Sequence, residues 1–156
     1  VTKPIIAAFL CAFAVALFGA LVTQLGPWYV ALKKPSWQPP DWLFGPAWTL
    51  IFGLAAIAAV LSWRDSAPGP AHVRIIAAFA ANMILNSLWS LLFFRLHRPD
   101  WALIEVAFLW ASIAIVMIVL WPISQTATWL MTPYLLWVSF ASYLNLVIVR
   151  LNEPFA

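Results

Sequence analysis

Tryptophan and asparagine, rather than acids, bases or nucleophiles, are the residues of this chain placed to do chemistry. From Trp28 to Trp48 it reads Trp28-Tyr29-Val30-Ala31-Leu32-Lys33-Lys34-Pro35-Ser36-Trp37-Gln38-Pro39-Pro40-Asp41-Trp42-Leu43-Phe44-Gly45-Pro46-Ala47-Trp48. Each proline fixes φ and restrains the residue before it, so this aromatic segment is stiff and has the character of a lid. Two other constellations share the theme. Asn82 and Asn86 are four residues apart, with Trp89 and Phe93 continuing the same helical face. Pro133, Trp137, Ala141 and Asn145 recur every four residues further on. Indole faces suit stacking on a flat apolar ligand, and asparagines could supply a polar end to its pocket. As reagents, tryptophans suit light-driven or one-electron oxidation better than acid–base catalysis. There is no Gly-rich phosphate loop, no His-Glu-x-x-His and no nucleophile with a plausible base. Cys11 is the single cysteine, which excludes disulfide frameworks and multi-cysteine metal sites; no metal site is expected.

The elements that position these residues follow from hydropathy. The chain has 156 residues, 65% hydrophobic and 8% charged, with mean hydropathy +0.97. That composition belongs to an integral membrane protein in contact with the lipid bilayer. Its net charge of +3 forms no basic stripe, so nucleic acid is not an expected partner. About 20 apolar residues cross the hydrocarbon core. Spans are expected at 5–23, 43–62, 75–94, 101–120 and 126–149, joined by connectors 24–42, 63–74, 95–100 and 121–125. The expectation is an all-α membrane protein, a bundle of five transmembrane helices forming one domain over 1–156. The first run is too long for a signal-peptide core and lacks a good cleavage site, so it is kept as a span. Period-2 alternation is absent, which argues against a β-barrel, and no sequence repeat supports an inverted-repeat transporter.

Five spans put the two ends on opposite sides. Lys3, Arg64 and Arg74 fall on one side; Lys33, Lys34, Arg95, Arg98 and Arg150 fall on the other. The positive-inside rule then favours a cytoplasmic C-terminal end, with the 24–42 loop on the same side. Small residues let helices approach closely in lipid. Ala8, Ala12, Ala16 and Ala20 form one such stripe, and Ala77 and Ala81 another. Each stripe reads as an internal helix contact or as a dimer seam. Asn82 and Asn86 must face the protein interior, because an asparagine facing lipid is costly. They read either as interhelical hydrogen-bonding groups or as the polar end of a pocket. Pro133 is expected to kink the fifth span, Trp137 to face inward and Trp129 to sit in the interfacial belt. Glu105, near the start of the fourth span, is expected to reach the membrane interface with help from the helix dipole. His72 and His97 fall in connectors and are expected to be solvated, and neither is placed as an axial haem ligand.

Four ordered blocks resemble one family over nearly the whole chain. They are the Trp28–Pro40 loop, Phe44-Gly45-Pro46-Ala47-Trp48, Asn86-Ser87-Leu88-Trp89-Ser90 with Phe93-Phe94, and Pro133-Tyr134-Leu135-Leu136-Trp137 with Phe140-Ala141-Ser142-Tyr143-Leu144-Asn145. The chain is similar to the translocator protein family, also called the tryptophan-rich sensory proteins or peripheral-type benzodiazepine receptors. The resemblance implies a five-helix bundle, often a homodimer, with a pocket near the long first loop. It implies binding of protoporphyrin IX or related tetrapyrroles such as haem, and of benzodiazepine-type ligands. Porphyrin would be ligand or substrate, with no cofactor required, in a protein of a bacterial cell membrane. Trp48 and Trp137 match family tryptophans proposed for light-dependent oxidative breakdown of protoporphyrin IX. Tyr29, Trp37, Pro40, Asn86, Trp89, Trp101 and Ala141 match other pocket or lid positions. Asn82 and Asn145 join them as candidate ligand-binding residues on the faces described above. Lys33 and Lys34 could meet a porphyrin propionate or, more simply, lipid headgroups. The family's sterol motif is incomplete: Val138 and Tyr143 fit, but six residues separate Tyr143 from Arg150, and Leu146 stands where animal members have tyrosine. A tetrapyrrole receptor leads, followed by a porphyrin-degrading enzyme and a porphyrin or sterol transporter.

Overall fold

The computed structural model describes residues 2–155. Helix α1 (Thr2–Val22) leads through a loop holding the short α2 (Pro27–Ala31) to a 3-10 turn at Asp41–Leu43. There follow α3 (Phe44–Asp65), α4 (Pro70–Ser90) with a π-helical turn at Leu91–Arg95, and α5 (Pro99–Leu120). The chain closes with α6 (Gln125–Leu130) and α7 (Thr132–Asn152). Among the described residues this gives five segments long and apolar enough to cross a membrane.

Proline sets several of the starts. Pro27, Pro70, Pro99 and Pro133 each stand in the first turn of a helix, where the missing N–H would have no partner anyway. This shortens the expected connectors. Helix α3 continues to Asp65 and α4 begins at Pro70, so 63–74 contracts to a turn at 66–69. Gly69 closes that turn at φ 119°, a conformation side chains with a Cβ rarely adopt. Pro133 does not kink a continuous helix. Its ring would meet the Trp129 carbonyl, so α6 stops at Leu130 and α7 restarts at Thr132. Ser124 caps α6 by accepting from the Ala127 amide at 3.3 Å.

Helix α5 is the axis of the bundle. Its buried face carries Ala102, Val106, Leu109, Ile113, Val116 and Leu120, packed against α4 and α7. Helix α1 is peripheral, with no buried residue, and lies on α3 and α4. Because lipid tails are as apolar as these side chains, polar interhelical bonds carry much of the specificity. Asn82 donates to the Ser112 hydroxyl at 3.0 Å, tying α4 to α5. Asn86 donates to the Tyr134 hydroxyl at 2.8 Å, tying α4 to α7. Asn145 donates to the Pro99 carbonyl at 2.9 Å and accepts from the Trp89 indole at 3.2 Å, joining α7 to α5 and α4. Both asparagines of α4 are buried, as their cost in lipid requires.

The two alanine stripes part ways. Ala8, Ala12 and Ala16 are half-buried and turn toward the bundle, while Ala77 and Ala81 lie exposed on the outer face of α4. Glu105 departs most from expectation. It does not reach the interface: it is 6% exposed on the core face of α5, and neither carboxylate oxygen has a hydrogen-bond partner. It lies beyond the first turn of α5, where the dipole has faded. A buried polar group without a partner costs about 1–3 kcal/mol. Glu105→Met keeps the side-chain length and removes the orphaned oxygens. It is therefore expected to raise the thermal midpoint of the detergent-solubilised protein, read by circular dichroism. A lowered midpoint would mean that the carboxyl stabilises the folded protein through a partner.

Candidate functional site

The loop between α1 and α3 folds over one end of the bundle and is clamped there at three places. Trp28 stacks on His97 with ring centres 4.2 Å apart and meets Phe93 edge-on at 6.2 Å. The Lys33 backbone and the Asn152 side chain exchange two hydrogen bonds of 2.8 Å, which fixes the loop to the end of α7. Trp37 stacks on Tyr143 at 5.5 Å on the flank of α7. The loop and the C-terminal end of the described chain thus share one end of the bundle.

Tyr29 is the buried keystone of the lid. Its hydroxyl donates to Asp41 at 2.7 Å and accepts from Gln38 at 3.1 Å. Burial, reinforced by the Asp41 hydrogen bond and charge, pushes the phenol well above its ordinary value, so it remains a neutral donor throughout the physiological range. Lys34 folds back over the Tyr29 ring, 4.2 Å from its centre, and donates to the Tyr29 and Leu32 carbonyls. It thus braces the lid instead of reaching for headgroups or a ligand acid. The histidines are likewise engaged rather than simply solvated. His97 lies under Trp28, and His72, inside the first turn of α4, stacks on Trp63 at 3.6 Å.

Beneath the lid is a cavity of about 510 Å³, within the ~300–1,000 Å³ range of small-molecule sites. Trp48, Trp89 and Trp137 wall it, with Phe44, Phe52, Phe93 and Phe94. Trp48 and Trp137 meet edge to face at 6.3 Å. Helix α1 contributes Ala16, Gly19 and Ala20, whose small side chains leave the space open. The rim includes exposed Ala20, Leu25, Gly45 and Thr49, so the mouth opens sideways between α1 and α3. The Trp137 indole nitrogen is buried without a hydrogen-bond partner. Among the described residues lining the cavity, Asp41 is the sole formally charged one. No group of three His, Cys, Asp or Glu side chains able to hold a metal ion occurs among the described residues.

The candidates from the sequence divide by position. Tyr29, Trp48, Asn86, Trp89, Trp137, Ala141 and Asn145 all line this cavity. Asn82 lines a second one, toward the other end of the bundle. Trp37, 45% exposed, lies on the outside of α7, and Pro40 precedes the 3-10 turn without lining the cavity. Trp101 is 48% exposed under the Arg98 guanidinium, 4.1 Å away, on the outer surface of α5. These three do not converge with the others, because their helix or loop turns them to the surface. Asp41, Gln38 and the α1 residues were not anticipated. The π-helical turn that brings Phe93 and Phe94 around the cavity also carries no sequence signal beyond its aromatic pair, although such turns favour functional sites.

The profile of the TspO/MBR family matches residues 7–151. The chain is 42% identical over 130 residues to the tryptophan-rich protein TspO of Chlorobaculum tepidum, covering 80% of this chain and 79% of that one. It is 35% identical over 150 residues to the tryptophan-rich protein TspO of Archaeoglobus fulgidus, covering 95% and 96%. It is 38% identical over 128 residues to the tryptophan-rich sensory protein of Cereibacter sphaeroides, covering 80% and 77%. With five membrane-spanning helices, the four sequence blocks in order and a family match across nearly its whole length, this chain belongs to the TspO/MBR family.

Proposed function

We propose that the protein is a membrane receptor for tetrapyrroles, protoporphyrin IX among them, held in the cavity beneath the clamped loop. The observation that carries this reading is the wall of Trp48, Trp89 and Trp137 around a space of about 510 Å³. Indole faces stack on a flat apolar disc. The relative named a tryptophan-rich sensory protein supports a sensory role. The same apolar walls suit neutral benzodiazepine-type ligands. The test is titration of the purified protein with protoporphyrin IX in the dark, followed by tryptophan quenching. Saturable quenching is expected; a linear, non-saturating response would refute the reading.

In this reading the propionates point away from Asp41, which repels a carboxylate, and toward the mouth between α1 and α3, since the described residues lining the cavity include no cation. Asp41→Asn is therefore expected to tighten protoporphyrin IX by about threefold to tenfold, the effect of one nearby like charge at partial exposure. The uncharged dimethyl ester should be indifferent to that change. Equal responses of acid and ester would place the propionates elsewhere.

A second reading rests on the edge-to-face pair of Trp48 and Trp137 in the wall. Such a pair is placed to exchange an electron with an illuminated porphyrin, with dioxygen as the terminal oxidant. Trp48→Phe with Trp137→Phe keeps aromatic walls and removes the indoles. Binding retained with loss of light-driven product would establish an enzyme; no product from the wild type would leave a receptor.

For the assembly, we infer a homodimer, with the exposed Ala77 and Ala81 of α4 as a strip that admits a neighbouring helix. A monomer mass in mild detergent, with no cross-linking in membranes, would refute it. For orientation, we infer that the lid end faces the cytoplasm, since it carries Lys33, Lys34, Arg95, Arg98 and Arg150. Ser36→Cys in a Cys11→Ser background should escape an impermeant thiol reagent in intact cells and react in inverted vesicles. The reverse pattern would invert the topology.

A further inference from the structure

A second cavity of about 430 Å³ lies toward the other end of the bundle, between α1, α3 and α4. It shares only Val15, Phe52 and Asn86 with the cavity under the lid. Its existence follows from side-chain size. Ala8 and Ala12 of α1 face Ala55 and Ala59 of α3 and Ala80 of α4, and none is long enough to fill the space between three helices. Exposed Ala7, Cys11 and Ile76 form part of its edge, so it opens sideways toward the hydrocarbon. An unfilled gap forfeits the dispersion contacts of everything lining it. In a bilayer the material at hand to fill it is an acyl chain. A helix of a second copy, about 10–12 Å across with its side chains, is too wide to enter and could only cover the mouth.

The polar features are asymmetric. Deep in the crevice, Asn82 and Asn86 each commit an amide donor to Ser112 and Tyr134. At the outer end stands Lys3, the sole charged residue among the described residues lining the crevice. It has no ion-pair partner among the described residues. The same end is braced by Trp63, stacked on His72, whose ring also contacts the Trp63 carbonyl at 3.2 Å. We propose that this crevice is a lipid site that takes one acyl chain of an anionic membrane lipid, with Lys3 at the mouth meeting the headgroup.

The test uses the full chain in neutral phosphatidylcholine vesicles. Trace phosphatidylglycerol or trace phosphatidylcholine carries a photoreactive diazirine in the acyl chain, and the cross-linked residues are mapped by mass spectrometry. Labelling is expected to concentrate at crevice residues such as Cys11 and Met83. There the anionic probe should exceed the neutral one by about fivefold, the selectivity of one lysine near a membrane surface. Lys3→Gln should bring that ratio close to one without changing the thermal midpoint. Ala80→Phe, which fills the crevice, should remove crevice labelling by both probes while labelling of the outer helix surfaces persists. Equal labelling by the two lipids in the wild type would overturn the headgroup assignment. Labelling spread evenly over all lipid-facing surfaces, or a crevice silent to both probes and closed by Cys11–Cys11 cross-links between copies, would overturn the site.

Discussion

Ala141→Phe is expected to abolish ligand uptake beneath the lid while leaving the bundle folded. Ala141 lines the cavity on the same face of α7 as Trp137 and Asn145. A phenyl ring there projects into open space rather than into a packed core, so the usual overpacking cost of about 1–3 kcal/mol is an upper bound. The ligand loses the volume that ring occupies and its contact with Trp137. An affinity loss of at least about 100-fold is expected for protoporphyrin IX and for neutral benzodiazepine-type ligands alike, equivalent to about 3 kcal/mol. Dark titration by tryptophan quenching measures it, with the thermal midpoint as the check on folding. Wild-type affinity in a folded Ala141→Phe protein would place the ligand outside this cavity.

Asn145→Leu is the second large effect, and it strikes both stability and binding. Asn145 is buried, accepts from the Trp89 indole and donates to the Pro99 carbonyl. Leucine leaves the Trp89 N–H without its partner and takes from the Pro99 carbonyl the bond that joins α7 to α5. Buried polar groups stripped of a partner cost about 1–3 kcal/mol each. Interhelical bonds in membranes average nearer 0.6 kcal/mol, because the loosened state finds substitutes. The lower scale moderates the total to about 2 kcal/mol, a fall of roughly 4–8 °C in thermal midpoint for a chain of this size. Trp89, no longer held by its N–H, also loses its fixed place in the wall, so ligand affinity should fall with it. An unchanged midpoint would show that the Trp89–Asn145–Pro99 link is dispensable. The opposite sign expected for Glu105→Met follows from the same rule: Asn145 has its partners and Glu105 has none.

Some of this was legible residue by residue. Long apolar runs fix the number of spans, because hydrocarbon thickness sets helix length. The inward direction of Asn82 and Asn86 follows from the cost of an amide in lipid. The loop's proline and tryptophan content marks it as a stiff cover. The seven candidates that line the cavity came from the family blocks and from four-residue spacing together. On α7 that spacing puts Trp137, Ala141 and Asn145 on one face toward the cavity, whereas Pro133, in the same series, lies outside it.

What failed did so for one physical reason. In a soluble helix the polar face reveals which side is in. In these spans the lipid side and the core side are both largely apolar, so a helix without buried amides such as Asn82 and Asn86 has no local signature of its rotation. Hence the sequence by itself determined five membrane helices, a rigid aromatic lid and an interior face for the asparagines. The tertiary structure alone decided that Glu105 is buried without a partner and that Trp37 and Trp101 lie outside the cavity. It also decided that Lys34 braces Tyr29 and that Asp41 is the one charge among the described residues lining the cavity. Helix rotation and the path of the lid are set by neighbours distant in the chain, whereas hydropathy and proline geometry are properties of the residues themselves.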